Sequence, residues 1–538
     1  MNQQINREDA DFEARARANQ ARLAADIKPH YDYIVCGSGT SGSVVAARLA
    51  EDPHTTVLLL EAGGDDNSPL IQDPNLWPAT LGTEFDWAFR CVPNAHLNGR
   101  AIDYSMGKVL GGGASINVST WSRGHRADWD HYAAVSGNPT WGYESVLGLY
   151  KSRIEAYHDM RAEQYRGLRG KVSVQSAVDP SAFAHRFLAA AQATGLRRFP
   201  DPNGAMMESD GGCAFVDETV VGATRRSIFR SYVRPMMDRP NLTVLTGALV
   251  ERIGFDGGRA SRVEFECGGQ RFCVKTNAEI VLSLGAINTP KLLMLSGVGD
   301  GDDLAQLDIP VIQHLPGVGR GLHDHVSFGC VWQNGAERPP AIPRSQVASF
   351  WKSRSDLDSP NFYSYAIQSP IITPQNARDL EVSADCWSMV VGMRPTSRGR
   401  VWLATTRPTD APIVDANYLG DPQDMTDLLA GLEMARAIGN ASALKDFRGA
   451  EVAPGDISPA RAAQFFRNGL TTFWHQSGTA RMGTDEDAVV DGSLAVRGVS
   501  GLRIADSSVM PRVTTGNTMA PCVVIGELAS EFIAQARR

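Results

Sequence analysis

A chain of 538 residues that is 43% hydrophobic and 21% charged can bury large cores, which excludes a disordered polypeptide and favours more than one domain. The net charge of -8 is modest for this length, and Lys and Arg are scattered rather than drawn into a stripe, so no nucleic-acid partner is expected. No apolar run approaches the ~18 residues of a membrane span and no signal-like segment opens the chain, so a soluble, cytoplasmic protein is expected.

Residues 1–30 are polar, with few large apolar positions, Phe12, Leu23 and Ile27 among them, and they read as a solvated surface helix. From Tyr31 the pattern changes. A β-rich run at 33–36, a Gly-rich turn, a helical stretch of small residues and a second apolar run at 57–60 form a βαβ opening. Further on, strand-like pieces at 242–245, 280–284 and 401–403 alternate with helical ones at 424–438 and 459–466. The Pro-rich piece at 338–343 is too short to link independent modules, so an α/β domain interleaved with a second, sheet-containing domain is expected. The eight cysteines form no CxxC pair and read as buried, reduced thiols.

Gly37-Ser38-Gly39-Thr40-Ser41-Gly42 is GxGxxG set between the expected strand and helix. There Gly37 permits the tight turn, Gly39 lets backbone approach a pyrophosphate, and Gly42 lets the helix pack closely with its N-terminus facing the phosphates. Ser43, Ala46 and Ala47 keep that helix slim, and Glu61, followed by Ala62, ends the second strand where a ribose hydroxyl is read. An acidic residue there suits a free 2′-hydroxyl and repels a 2′-phosphate. FAD or NAD is favoured over NADP, with the choice between them open.

Downstream, Gly107-Lys108-Val109-Leu110-Gly111-Gly112-Gly113-Ala114-Ser115-Ile116-Asn117, continued by Arg123-Gly124 and Asp128-Trp129-Asp130, resembles the first signature of the glucose-methanol-choline (GMC) oxidoreductases. Residues 285–299, Gly285-Ala286-Ile287-Asn288-Thr289-Pro290 through Gly299, resemble the second, and residues 315–325, ending in His323-Asp324-His325, are similar as well. The resemblance runs from Tyr31 to the end of the chain. It implies a Rossmann-type FAD-binding domain (31–156, 201–329, 454–538) after a helical extension (1–30). Interleaved with it is a substrate domain (157–200, 330–453) built on an antiparallel sheet covered by helices.

FAD is the implied cofactor, with Val109, Gly112, Asn117, Val118 and Ser119 against the flavin and Leu249 and Val250 beside the adenine. Covalent members carry a histidine at the position of Ile116, so the resemblance implies non-covalent FAD. Taken alone, His323 and His325 around Asp324 hint at a metal, but two histidines one residue apart lack the remaining ligands, and none is expected.

Near the carboxyl terminus, Phe473-Trp474-His475-Gln476-Ser477-Gly478 resembles the family's catalytic-histidine segment, followed by the similar runs 501–511 and Thr515-Gly516-Asn517-Thr518-Met519-Ala520-Pro521. The resemblance implies that His475 and Asn517 are the catalytic pair and that Trp474, Asp506, Thr518 and Met519 adjoin the cofactor. Alcohol oxidation removes a hydroxyl proton and a carbinol hydride, so it needs a base beside a hydride acceptor, and histidine suits the first task. His475 is then the base and Asn517 the donor to a developing alkoxide. A helix starting at Thr518 would aim its N-terminal amides at the cofactor.

The expected substrate is a small-molecule primary alcohol, aromatic or hydroxymethyl-bearing, against a wall drawn from Phe350, Trp351, Phe362, Tyr363, Tyr365 and Trp387 with Trp474. Oxygen or another electron acceptor completes the cycle. The alternative reading is a non-redox, hydroxynitrile lyase-like enzyme on the same scaffold. Oligomeric state is left open.

Overall fold

Two seven-stranded sheets organise the chain. The computed structural model describes residues 2–158, 164–339, 343–455 and 457–537, with side chains from residue 11 onward. Residues 340–342 of the Pro-rich piece lie outside the described residues.

In the first sheet, Leu242–Leu245, Val57–Leu60, His30–Cys36, the end of Gln270–Leu282 and Leu502–Ile504 run parallel, and Arg259–Cys267 and Ala248–Asp256 continue it antiparallel. Val57–Leu60 and Leu242–Leu245 are buried at every position, as strands covered on both faces must be. Cys36 stands opposite Leu60 and Leu282, Leu60 opposite Leu245, and Leu282 opposite Ile504. Segments distant in the chain therefore end on one line. The turns that follow, at Gly37, Glu61, Ser283 and Ala505, share the edge at which open parallel sheets bind ligands.

The helices Thr40–Ala50 and Met519–Ala536 pack together on this sheet. Among the described residues, Met519–Ala536 alone is long and apolar enough to cross a membrane, where inspection of the sequence found no such run. Its best window is 72% buried inside the protein. The helix is spent on the core, and its buried Glu527 is met by Arg48 (2.7 Å) and the Tyr232 hydroxyl (2.7 Å).

The N-terminal helix Asn2–Ala25 departs from the solvated helix expected of it. Ala16, Gln20 and Leu23 are buried against the edge strand Leu242–Leu245. The Gln20 amide acts as a fragment of a further strand, accepting from Val244 N (2.9 Å) and donating to Leu242 O (3.0 Å) and Met237 O (2.7 Å). An otherwise open edge is thereby covered. The cysteines differ in part too, since Cys273 is exposed and Cys267 half-buried while the other six are buried.

The second sheet is antiparallel, in the order Arg448–Ala453, Val326–Asn334, Cys386–Met393, Phe362–Ile367, Val347–Trp351, Gly212–Phe215, with Thr471–Thr472 beside Val326–Ser327. Gly212–Phe215 and Thr471–Thr472 thus hydrogen-bond into this sheet although the sequence groups them with the cofactor domain. Side chains alternate across it. Phe362, Trp351, Trp387 and Trp332 face the helices Ala182–Ala193, Pro422–Gly439 and Pro459–Gly469, whereas Ala348, Phe350, Tyr363 and Tyr365 face the other way.

Candidate active site

A cavity of about 250 Å³ runs from the glycine turn of the first sheet to His475 beneath the second. At its first end Gly37 has φ +97°, and a Cβ there would stand 2.3 Å from Ser283 O. A Cβ at Gly42 would stand 2.0 Å from Gly37 O, so that glycine serves helix packing and lies off the cavity wall. Gly39, Thr40 and Ser41 form the wall, at the head of a helix whose first amides have no side-chain cap. Glu61 and Ala62 join them. Glu61 accepts from Ser38 N (3.0 Å), Ser38 Oγ (2.7 Å) and Gly63 N (2.9 Å). Burial raises its pKa while those donors oppose the shift. Ser38 itself is held behind the wall by this contact.

Along the middle, Gly112, Ile116, Asn117 and Val118 face Asp506, Thr518 and Met519 across the cavity. Thr518 offers no side-chain cap to the helix that begins at Met519, so its first amides are left for a ligand. Asp506 accepts from Thr289 Oγ1 (2.6 Å), Gly285 N (3.0 Å) and Ser508 N (2.8 Å), so it caps one turn and ties down another. Besides Ser38 and Gly42, further residues expected at the cofactor lie off this wall, Leu249 among them. Val109 is buried behind it with Ile71, Ser119 sits beneath it in a left-handed conformation (φ +61°), and Val250 pairs with Phe265 on the antiparallel flank.

At the far end His475 and Asn517 meet, both buried to within a tenth of their surface. Asn517 Nδ2 stands 3.3 Å from His475 Nε2, and Asn517 Oδ1 accepts from the Tyr365 hydroxyl. On the other side of the ring, His475 Nδ1 lies 2.9 Å from His325 Nδ1 and 3.2 Å from the Tyr363 hydroxyl. Burial pushes the His475 pKa down to about 3 and that of His325 well below its ordinary value, so both imidazoles are neutral near pH 7. Asp324 accepts from His475 N (2.7 Å), Tyr418 (2.7 Å) and Thr472, and burial raises it to about 6.

The sequence marks His325 and Asp324 only within the metal-like run His323-Asp324-His325, and Tyr365 only as an expected pocket wall, where it instead holds the Asn517 amide. Their roles here are to flank the imidazole and to hold its backbone. Gln476 Nε2, also at this wall, is buried without a partner among the described residues, the mark of a place meant for a bound group.

The profile described as GMC oxidoreductase matches residues 31–327 and 395–526. The chain belongs to the GMC oxidoreductase family. This GMC oxidoreductase is 34% identical over 536 residues to the alcohol dehydrogenase [acceptor] of Pseudomonas putida, covering 94% of this chain and 96% of that one. It is 34% identical over 556 residues to the mitochondrial choline dehydrogenase of Mus musculus, covering 95% and 91%. It superimposes on the crystal structure of pyridoxine 4-oxidase from Mesorbium loti with a TM-score of 0.88 at 29% identity, covering 94% and 99%.

FAD is the cofactor of this GMC oxidoreductase. The cavity fits it, with a glycine turn open to backbone approach, the Glu61 carboxylate on the wall beside that turn, uncapped helix heads and the orphaned Gln476 amide. The mouth beyond His475 is aromatic. Trp77, Trp87, Phe473 and Trp474 line it, and Trp474, 38% exposed with φ +59°, stacks edge-on against Trp77 at 5.8 Å. Its strained backbone is held by an N–H bond to Thr472 Oγ1 at 2.7 Å. Of the other expected pocket residues, Tyr363 reaches His475, whereas Phe362 and Trp387 point to the helix side of their strands. There Phe362 stacks on Trp351 and Trp387 on Trp332, away from the cavity.

Proposed function

We propose that this enzyme oxidises a primary alcohol, aromatic or hydroxymethyl-bearing, to the aldehyde, with His475 as the base. The observation that carries the reading is the 3.3 Å approach of Asn517 Nδ2 to His475 Nε2 at the cavity wall. An alcohol oxygen beside the pair, within hydrogen-bond reach of both nitrogens, receives the Asn517 N–H and gives its proton to the neutral imidazole. The bound FAD supplies the hydride acceptor. Tyr365 holds the Asn517 amide, and His325 and Tyr363 hold the far side of the ring, so the base is oriented before substrate arrives. The aromatic mouth favours a flat apolar alcohol and excludes bulk water from the proton transfer.

Relatives named for alcohol, choline and pyridoxine support oxidation of a small hydroxyl compound. Ile116 presents only hydrocarbon to the cavity, which supports FAD held without a covalent bond.

The test is anaerobic mixing of the yellow holoenzyme with aliphatic, benzylic and choline-like primary alcohols. Bleaching of the flavin by one of them is expected, strongest for the benzylic set. A flavin that keeps its colour through the whole panel would overturn the reading and favour the lyase-type alternative. Repeating the reaction in air, with peroxide and dye reduction read side by side, identifies the electron acceptor. Release of flavin by acid without protease checks the non-covalent link.

A further inference from the structure

Arg225 is 1% exposed and, among the described residues, has no carboxylate partner. Its Nε donates to Ile71 O (2.8 Å), its Nη1 donates to Asn117 Oδ1 (2.8 Å) and Ser119 Oγ (3.0 Å), and its buried Nη2 has no partner among the described residues. The neighbouring Arg344 is occupied by Glu218. Burial and Arg344 lower the Arg225 pKa to about 9 against the pull of Asp73, which leaves the guanidinium charged at neutral pH. A buried charge without a counter-ion costs stability, and a fold keeps one where negative charge comes to meet it.

The surroundings say where that charge comes from. Asn117 Oδ1 also accepts from Ser119 N (2.9 Å), so the amide is fixed with its Nδ2 toward Met519 Sδ (3.2 Å) at the head of the last helix. Asn117, Val118 and Met519 are cavity wall on the stretch leading to Asn517 and His475. The guanidinium therefore stands one amide group behind the wall at the redox end.

We infer that Arg225 is a positioning residue for the cofactor that also tunes it: it holds the Asn117–Ser119 turn in place, and its charge favours the negative charge that collects on the flavin on reduction. The alcohol carbon gives up a hydride, its oxygen loses a proton to His475, and the two electrons that reach the cofactor are stabilised by the field of Arg225. The inference rests on the reading that the flavin ring lies against Asn117.

The experiment is the reduction potential of the holoenzyme, read from the flavin spectrum against reference dyes without substrate, so it is independent of which alcohol is used. Arg225→Lys keeps the charge and should stay near the parent potential. Arg225→Gln keeps a hydrogen-bonding amide and should weaken reduction on the order of tenfold, a shift of about 30 mV to more negative potential. Ser119→Asp, compared with the uncharged Ser119→Asn, neutralises the guanidinium while leaving it in place. It should show the same shift, and it decides the matter if Arg225→Gln does not fold or retain FAD. A purely structural arginine would lower the melting temperature in Arg225→Gln with no change in potential. That result, equal potentials for the two Ser119 variants, or a drop in Arg225→Lys as large as in Arg225→Gln would overturn the inference.

Discussion

His475 Nε2 and Asn517 Nδ2 stand 3.3 Å apart, although 42 residues of chain separate them. The two sit on different supports, His475 on the segment bound to the second sheet through Phe473 N and His325 O (2.9 Å), Asn517 at the head of the helix packed on the first. The junction of the two sheets therefore sets the distance.

Replacing either member should separate chemistry from cofactor binding. His475→Ala is expected to slow flavin reduction by about 10²–10⁴-fold and Asn517→Ala by about 10²-fold, with the flavin content of the purified protein unchanged. Stopped-flow bleaching under anaerobic conditions, together with the flavin-to-protein absorbance ratio, checks both.

Acidification should destabilise the protein from the ordinary imidazole range downward. His323 and His475 are held near 3, and His325 well below 6.5, by burial. The unfolded chain therefore binds protons between about pH 6.5 and 3 that the folded one does not, and stability is complete above pH 6.5 and falls below it. Each histidine contributes about 1.4 kcal/mol per pH unit there at full slope. Asp324, raised to about 6, works in the opposite sense between its ordinary value and 6 and offsets one of them. Urea melts at pH 7.5 and 5.5 measure the difference, and equal midpoints would contradict it.

The two faces of the strand Phe362–Ile367 should answer differently to mutation. Phe362→Ala is expected to lower stability by about 3–5 kcal/mol through a cavity against Trp351, with little change in KM. Tyr363→Phe removes a hydroxyl from His475 Nδ1 and should slow flavin reduction while leaving the melting temperature within a few degrees. Paired thermal melts and kinetics on the two variants check the contrast.

Gln20→Ala removes the amide that closes the sheet edge. A loss of about 1–3 kcal/mol is expected, with unchanged kinetics in the fraction that stays folded, because Val244 N and Leu242 O lose their partner. Loss of stability together with concentration-dependent aggregation, read by light scattering, is the signature of an exposed edge.

Some of this was legible in the chain. The turn Gly37–Gly42, Glu61 one strand later and the helix after Thr518 are encoded in residues whose local pattern prescribes strand, turn and helix head, whereas His475 and Asn517 were named by their resemblance to the family's catalytic segment. Motif reasoning reached the turn, Glu61 and the helix head because the chemistry and the local backbone share the same few positions.

The remainder waited on the fold. His325 comes beside His475 across 150 residues, Arg225 behind Asn117 across 108, and Gln20 onto the edge strand across 224. Nothing local marks these partners, since each is a buried polar group brought to its neighbour from a distant element. Phe362 and Tyr363 are adjacent aromatics with equal claim on a pocket, and only the register of the second sheet sends one to the helices and the other to the base. The sequence by itself determined the cofactor turn, because short-range geometry fixes strand, turn and helix head, and it marked His475 and Asn517 through the family resemblance of their segments. The tertiary structure decided what orients that pair and which aromatics reach it, because side-chain direction across a sheet depends on pairings made far along the chain.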